Sequence, residues 1–117
     1  MALSIRERIN AMIKFKFKVN NSFLQYRTRP ITIPKTQVDY EQIKKDQLAS
    51  DNVRVICPGN EHPSGAIYFG IAGYGPYYQV RINGSSRDPL RSLPFGARLS
   101  VLIEKIGSVV KVRLNKI

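Results

Sequence analysis

A chain with a single cysteine and a single histidine has few ways to hold a metal. Cys57 and His62 cannot supply the three or four donors of a zinc site, and one thiol cannot close an intrachain disulfide. No metal and no cofactor is therefore expected, and Cys57 reads as a small buried strand residue. Acids are also scarce, with eight Asp and Glu against 19 Lys and Arg. None of the eight forms a close pair in an apolar setting, so paired-carboxylate hydrolysis has no visible apparatus. His62 follows Glu61 in a Pro/Gly-rich loop, with neither a second histidine nor a G-x-S-x-G serine to complete a nucleophilic triad. Gly70, Gly73 and Gly75 are spaced G-x-x-G-x-G, which matches neither the dinucleotide nor the phosphate-loop pattern. A non-enzyme is expected, with no small-molecule substrate evident.

Long apolar runs are missing as well. No stretch approaches the roughly 20 residues of a membrane-spanning helix, and Arg6, Glu7 and Arg8 interrupt the N-terminal apolar positions that a secretory signal requires. A membrane partner is not expected, and an intracellular (cytoplasmic) or virion setting fits better than secretion.

What the chain has in excess is positive charge. The net charge is +11 over 117 residues, distributed as +7 over residues 1–38, −2 over 39–76 and +6 over 77–117. A solvated surface needs mixed signs, so the two basic segments point to a polyanion, of which nucleic acid is the commonest. At this length one domain is expected, residues 1–117, burying roughly two-thirds of its unfolded surface. Within it, residues 1–38 form a basic N-terminal helix, strand and extended arm, and residues 39–117 a helix and a β core.

Ser4 and Glu7 fit a capping box, and Ile5, Ile9 and Met12 fall at helical spacing, which predicts a short helix over residues 5–12. From Ile13 to Val19 the period changes to two. Ile13, Phe15, Phe17 and Val19 make an apolar face, and Lys14, Lys16 and Lys18 a row of ammonium groups about 7 Å apart. Such a row serves phosphate contact, and it also protects a sheet edge from mispairing. Asn20-Asn21 suggests a turn. Residues 20–38, with Arg27 and Arg29 and with Pro30 and Pro34 bounding a short apolar stretch, read as an arm lying along another protein subunit or nucleic acid. Asp39 and Gln42 open a second helix over residues 39–49, and Val53–Cys57 is a short strand.

The stretch GAIYFGIAGYGPYYQVRI, residues 65–82, reads as two strands about a Gly-Pro turn. Ile67, Phe69 and Ile71, then Tyr78, Val80 and Ile82, form the apolar side and the expected centre of the core. Tyr68, Tyr77, Gln79 and Arg81 fall on the other side. A Pro-containing loop over residues 85–97 precedes a C-terminal hairpin. There Leu99, Val101 and Ile103, then Val110, Val112 and Leu114, alternate with Arg98, Lys111 and Arg113.

These patterns predict a mainly β fold, a barrel or sandwich of about six to eight short strands with one or two short helices, an oligonucleotide-binding barrel among the candidates. The function expected is a basic, non-catalytic nucleic-acid-binding module with little sequence specificity, favouring single-stranded DNA or RNA. Lys14, Lys16, Lys18, Arg27 and Arg29 are the candidates for phosphates. Tyr68, Tyr77, Arg81, Arg98, Lys111 and Arg113 form the sheet face, where tyrosines stack bases and cations hold backbone. The alternative is a structural subunit of a large assembly, such as a virion, tail or ribonucleoprotein particle, using the 20–38 arm for subunit contacts.

Overall fold

The computed structural model describes residues 9–57, 63–83 and 89–117. Among these residues the chain is mainly β with two short helices. Its elements are β1 (Ile9–Lys18), α1 (Asn21–Gln25), β2 (Ile31–Thr32), α2 (Tyr40–Lys45), β3 (Ser50–Ile56), β4 (Ser64–Ala72), β5 (Gly75–Ile82), a 3-10 turn (Pro89–Ser92), β6 (Arg98–Ile106) and β7 (Val109–Lys116). The seven strands form one mixed sheet in the order β1-β6-β7-β3-β4-β5-β2. Only β3 and β7 run parallel.

One face of this sheet is dry. Ile13, Phe15 and Phe17 of β1, Leu99, Val101 and Ile103 of β6, and Val110, Val112 and Leu114 of β7 are all buried, as the period-two pattern requires. A single sheet buries one face only if something covers it, and here residues 19–48 and the 3-10 turn do so. Phe23, Ile31, Ile33, Ile43, Leu48 and Leu90 are sealed from solvent, with Leu93 close behind. Each such side chain is worth about 1.5–3 kcal/mol relative to exposure.

That arrangement corrects the reading of residues 20–38. The segment packs on its own chain instead of reaching outward as an arm. Asn20 is not a simple turn residue but the cap of α1, its side chain accepting from the Phe23 amide at 3.0 Å. Phe23 then packs on Phe17, ring centroids 5.7 Å apart. Beyond β2, the Gln37 side chain lies along the outer edge of β1. The Lys16 amide donates to Gln37 Oε1 at 2.9 Å, and Gln37 Nε2 donates back to the Lys16 carbonyl at 3.1 Å. One side-chain amide thus imitates a neighbouring strand and ties the covering segment to the outer edge of β1.

The helix expected at 5–12 is not seen where the chain is described. Residues 9–12 belong to β1, because Ala11 continues inward the alternation of Ile13 and Phe15 while Met12 is exposed. Residues 5–8 lie outside the described residues, as do Glu61 and His62. The second helix is shorter than expected. It is capped by Asp39, whose carboxylate accepts from the Glu41 amide at 3.0 Å. Cys57 is buried after β3.

The central strand pair also differs in detail. Its turn falls at Gly73-Tyr74, and Pro76 lies inside β5 opposite Ile71. Pro76 is in phase with Tyr78, Val80 and Ile82, whose backbones bond outward to residues 28–33. Its missing N–H therefore falls on the free edge beyond β2, where proline is tolerated. The pair also outruns the core: Ile67 is buried, but Phe69 and Ile71 are 46% and 78% exposed.

Tyr40 joins the covering layer to β5. Its hydroxyl donates to the Ile33 carbonyl and accepts from the Tyr78 amide at 3.4 Å, while the two rings meet edge to face at 5.0 Å. Burial pushes the phenols of Tyr40 and Tyr78 above the usual tyrosine range. The Tyr78 backbone partly opposes this at Tyr40, and the Glu41 charge adds to it at Tyr78. The folded state thus holds these protons more tightly than the unfolded one. Their contribution is complete below about pH 10 and is lost as pH rises through the folded values. Tyr40→Phe should cost about 1–2 kcal/mol at neutral pH and flatten the alkaline fall in stability, both measured by urea unfolding across pH 8 to 11.

Candidate nucleic-acid interface

The outward face of the sheet carries two groups of the expected residues. The first is a row on β4 and β5. Arg81 Cζ lies 3.8 Å above the centre of the Tyr68 ring, a cation–π contact on an exposed surface. Arg81 Nε donates to Gln79 Oε1 at 3.0 Å, and Gln79 Nε2 donates to Thr32 Oγ1 at 3.1 Å. On the other side Tyr68 and Tyr77 approach with ring centroids 6.1 Å apart, and Tyr77 meets Tyr74 at the same 6.1 Å. The row therefore runs from Thr32 through Gln79, Arg81, Tyr68 and Tyr77 to Tyr74.

Gly70 permits this. A Cβ there would sit 2.6 Å from the Tyr77 ring and 2.8 Å from the Tyr68 ring, so the missing side chain lets both rings lie across β4. The two tyrosines and Arg81, read from sequence as separate contacts, are thus one interlocked surface, with one face of Tyr68 already occupied by the guanidinium. Tyr74, at the hairpin tip, was missed by strand alternation because turn residues have no strand phase.

The second group is cationic. Lys14, Lys16 and Lys18 are all exposed on β1, and across the strands Lys18 stands directly opposite Arg98, which is exposed too. Like charges in that position repel, and none of these four meets a carboxylate among the described residues. On the next strands Arg54 lies beside Lys111, a cation that strand length alone did not single out.

Two expected members behave differently. Arg113 Nε donates to Glu104 Oε1 at 3.0 Å, and the carboxylate is nearly buried, so this guanidinium is held by an acid of the neighbouring strand. Lys111 stands opposite the same Glu104. Arg29 is buried, its Nη1 donating to the carbonyls of Phe23 and Leu24 at 3.1 and 2.9 Å. It holds α1 in place and does not face solvent. Arg27, by contrast, is exposed.

The two groups share a face but not a corner. From Gly65 to Tyr68 the chain runs level with Val53 and back toward Ser50, away from Arg113. From Arg113 the rows continue through Leu102 to Lys14, and then to Lys16, Lys18 and Arg98. The tyrosine row and the lysine row therefore lie at diagonal corners, separated by β3 and β7.

Among the described residues no three His, Cys, Asp or Glu side chains converge as a metal would require. Among those residues, no helix is long and apolar enough to cross a membrane. No family model, curated protein or solved structure matches the chain.

Proposed function

We propose that the chain is a non-catalytic nucleic-acid-binding module that grips single-stranded DNA or RNA with little sequence choice. The observation that carries this reading is the lysine row with Lys18 opposite Arg98, exposed and without a carboxylate partner. The lysines also guard the edge strand β1 against mispairing, but that role does not call for Arg98 beside Lys18, and a phosphate backbone would relieve their repulsion. The tyrosine row adds flat surfaces for unpaired bases, each stack worth about 1–3 kcal/mol.

Fluorescence anisotropy with a labelled oligothymidine across a salt series tests the proposal. Log affinity should fall linearly with log salt. Replacing Lys14, Lys16 and Lys18 together by Gln should reduce that slope by about 2, at about 0.7 per phosphate on a single strand. An oligonucleotide that fails to bind the wild-type chain at low salt would sink the reading.

A second reading, a subunit of a larger assembly such as a virion or ribonucleoprotein particle, draws support from the end of the β4–β5 hairpin. Phe69, Ile71 and Tyr74 are exposed there, next to a groove of about 390 Å³ lined by Tyr40, Glu41, Lys44, Phe69, Pro76 and Tyr78. Apolar surface gathered at one end is characteristic of protein interfaces. Light scattering separates the two, since an assembly subunit forms rings or polymers and a binding module does not.

A further inference from the structure

Beside the tyrosine row lies a smaller pocket of about 220 Å³, lined by Ser22, Tyr26, Thr28, Pro30, Gln79 and Arg81. Its chemistry is one-sided. Ser22, Tyr26 and Thr28 each bring a hydroxyl that bonds to no described residue. Arg81 brings a guanidinium whose position is set twice, by its stack on Tyr68 and by its Nε bond to Gln79. Both terminal nitrogens of Arg81 stay unengaged by any described residue. The acceptor oxygen of Gln79 is already used by Arg81, and no carboxylate lines the wall. Arg27, between Tyr26 and Thr28 in the chain, is exposed and adds a further positive charge nearby.

A pocket with several free donors, a fixed guanidinium fork and no negative group suits an oxyanion. Arginine in this state binds phosphate through two parallel N–H bonds, and hydroxyls supply the remaining donors. The fork is also pre-organised, because stacking and the Gln79 bond have already restricted its rotamers.

We propose that this pocket is a phosphate subsite, with Arg81 as the fork and Ser22, Tyr26 and Thr28 as the hydroxyl donors. The assignment of the phosphate to a nucleic-acid backbone rests on the function proposed above. A strand lying along Tyr74, Tyr77 and Tyr68 would reach the pocket at Arg81, the next member of the row. A free phosphate would use the same chemistry.

The test uses the full chain with two probes, a labelled oligothymidine read by anisotropy and inorganic phosphate read by 31P line broadening. Two variants are compared with wild type, Arg81→Lys and the double variant Ser22→Ala/Thr28→Ala, each checked for an unchanged urea midpoint. Arg81→Lys keeps the charge but loses the fork. It should weaken oligonucleotide binding about tenfold with little change in salt slope. The double variant, which leaves Arg81 and its stack intact, should weaken binding about threefold or more. An oligonucleotide with methylphosphonate linkages should be bound equally by wild type and both variants.

If the wild-type chain ignores the oligonucleotide but broadens the phosphate signal, and Arg81→Lys abolishes this, the subsite stands and the nucleic-acid reading falls. Variants that bind both probes as wild type does would overturn the subsite and leave the lysine-row prediction intact. A wild-type chain that binds neither probe would overturn both.

Discussion

Gly65→Ala is expected to lower stability by about 3 kcal/mol, enough to move a urea midpoint by about 1–3 M at the slopes usual for small proteins. Gly65 lies in β4, opposite Ile82 and level with Val53, in the middle of the buried face. A Cβ at this position would overlap the carbonyl oxygen of Arg81 and lie 3.0 Å from Val55 Cγ2. The first obstacle is backbone, so no rotamer change removes it. Relief requires β4 and β5 to separate at the end of their ladder that lies in the core, with Gly65, Val55 and Ile82 all buried. Gly70 makes the contrast clear, because a Cβ there meets only ring atoms of Tyr77 and Tyr68, which can swing aside. Urea unfolding of Gly65→Ala tests the account, and a midpoint within about 0.3 M of wild type would refute it.

Arg29→Ala should cost a similar amount, about 3 kcal/mol. Arg29 is 8% exposed, and its guanidinium satisfies the carbonyls of Phe23 and Leu24, which α1 is too short to bond internally. Removing it leaves buried acceptors without a donor, and charged hydrogen bonds of this kind are worth about 1.5–3 kcal/mol each. The residue also has φ +44°, a left-handed backbone that non-glycine side chains adopt at a cost. Such a conformation persists because the bonds made by the side chain outweigh it. Arg29→Lys should recover only part of the loss, since both bonds come from the outermost nitrogen Nη1 and the shorter lysine side chain places its ammonium group short of that position. Urea unfolding measures the stability, and oligonucleotide binding by the folded variant gives the independent readout. A buried structural arginine leaves the salt slope unchanged, so a slope reduced by about 0.7 would instead place Arg29 on a phosphate.

These two residues show where reading a sequence stops. Gly65 and Gly70 are both glycines in one strand-like stretch, and nothing local separates the one beneath a carbonyl from the one beneath two rings. Arg27 and Arg29 sit two residues apart in the same basic segment, yet one is exposed and the other buried. A proline-bounded, apolar and basic segment has the same composition whether it clasps a partner or its own core. In residues 20–38 the apolar members Phe23, Ile31, Ile33 and Val38 fill the open face of the sheet, while Ser22, Tyr26, Arg27 and Thr28 stay exposed. Glu104 illustrates the converse for charge: its effect on Arg113 depends on a cross-strand pairing, and such pairings carry no signature in one strand alone.

Period-two alternation determined a good deal without any structure. It placed the inward side chains of β1, β6 and β7, the outward lysines of β1, and Tyr68, Tyr77, Gln79 and Arg81 on the outward side of β4 and β5. The physical reason is that alternation is a local property of an extended backbone, so each strand announces its own two faces. The mainly β class follows from the same signal, whereas only the second helix was legible, from its Asp39 cap. Tertiary structure alone decided the strand order, the parallel pairing of β3 with β7, and the bonding of Gln37 to the edge of β1. It also decided that the aromatic and lysine rows occupy diagonal corners, and that Arg81, Ser22, Tyr26 and Thr28 surround one pocket. Those features depend on which strands become neighbours, and that choice is made by the packing of the whole core rather than by any one stretch of chain.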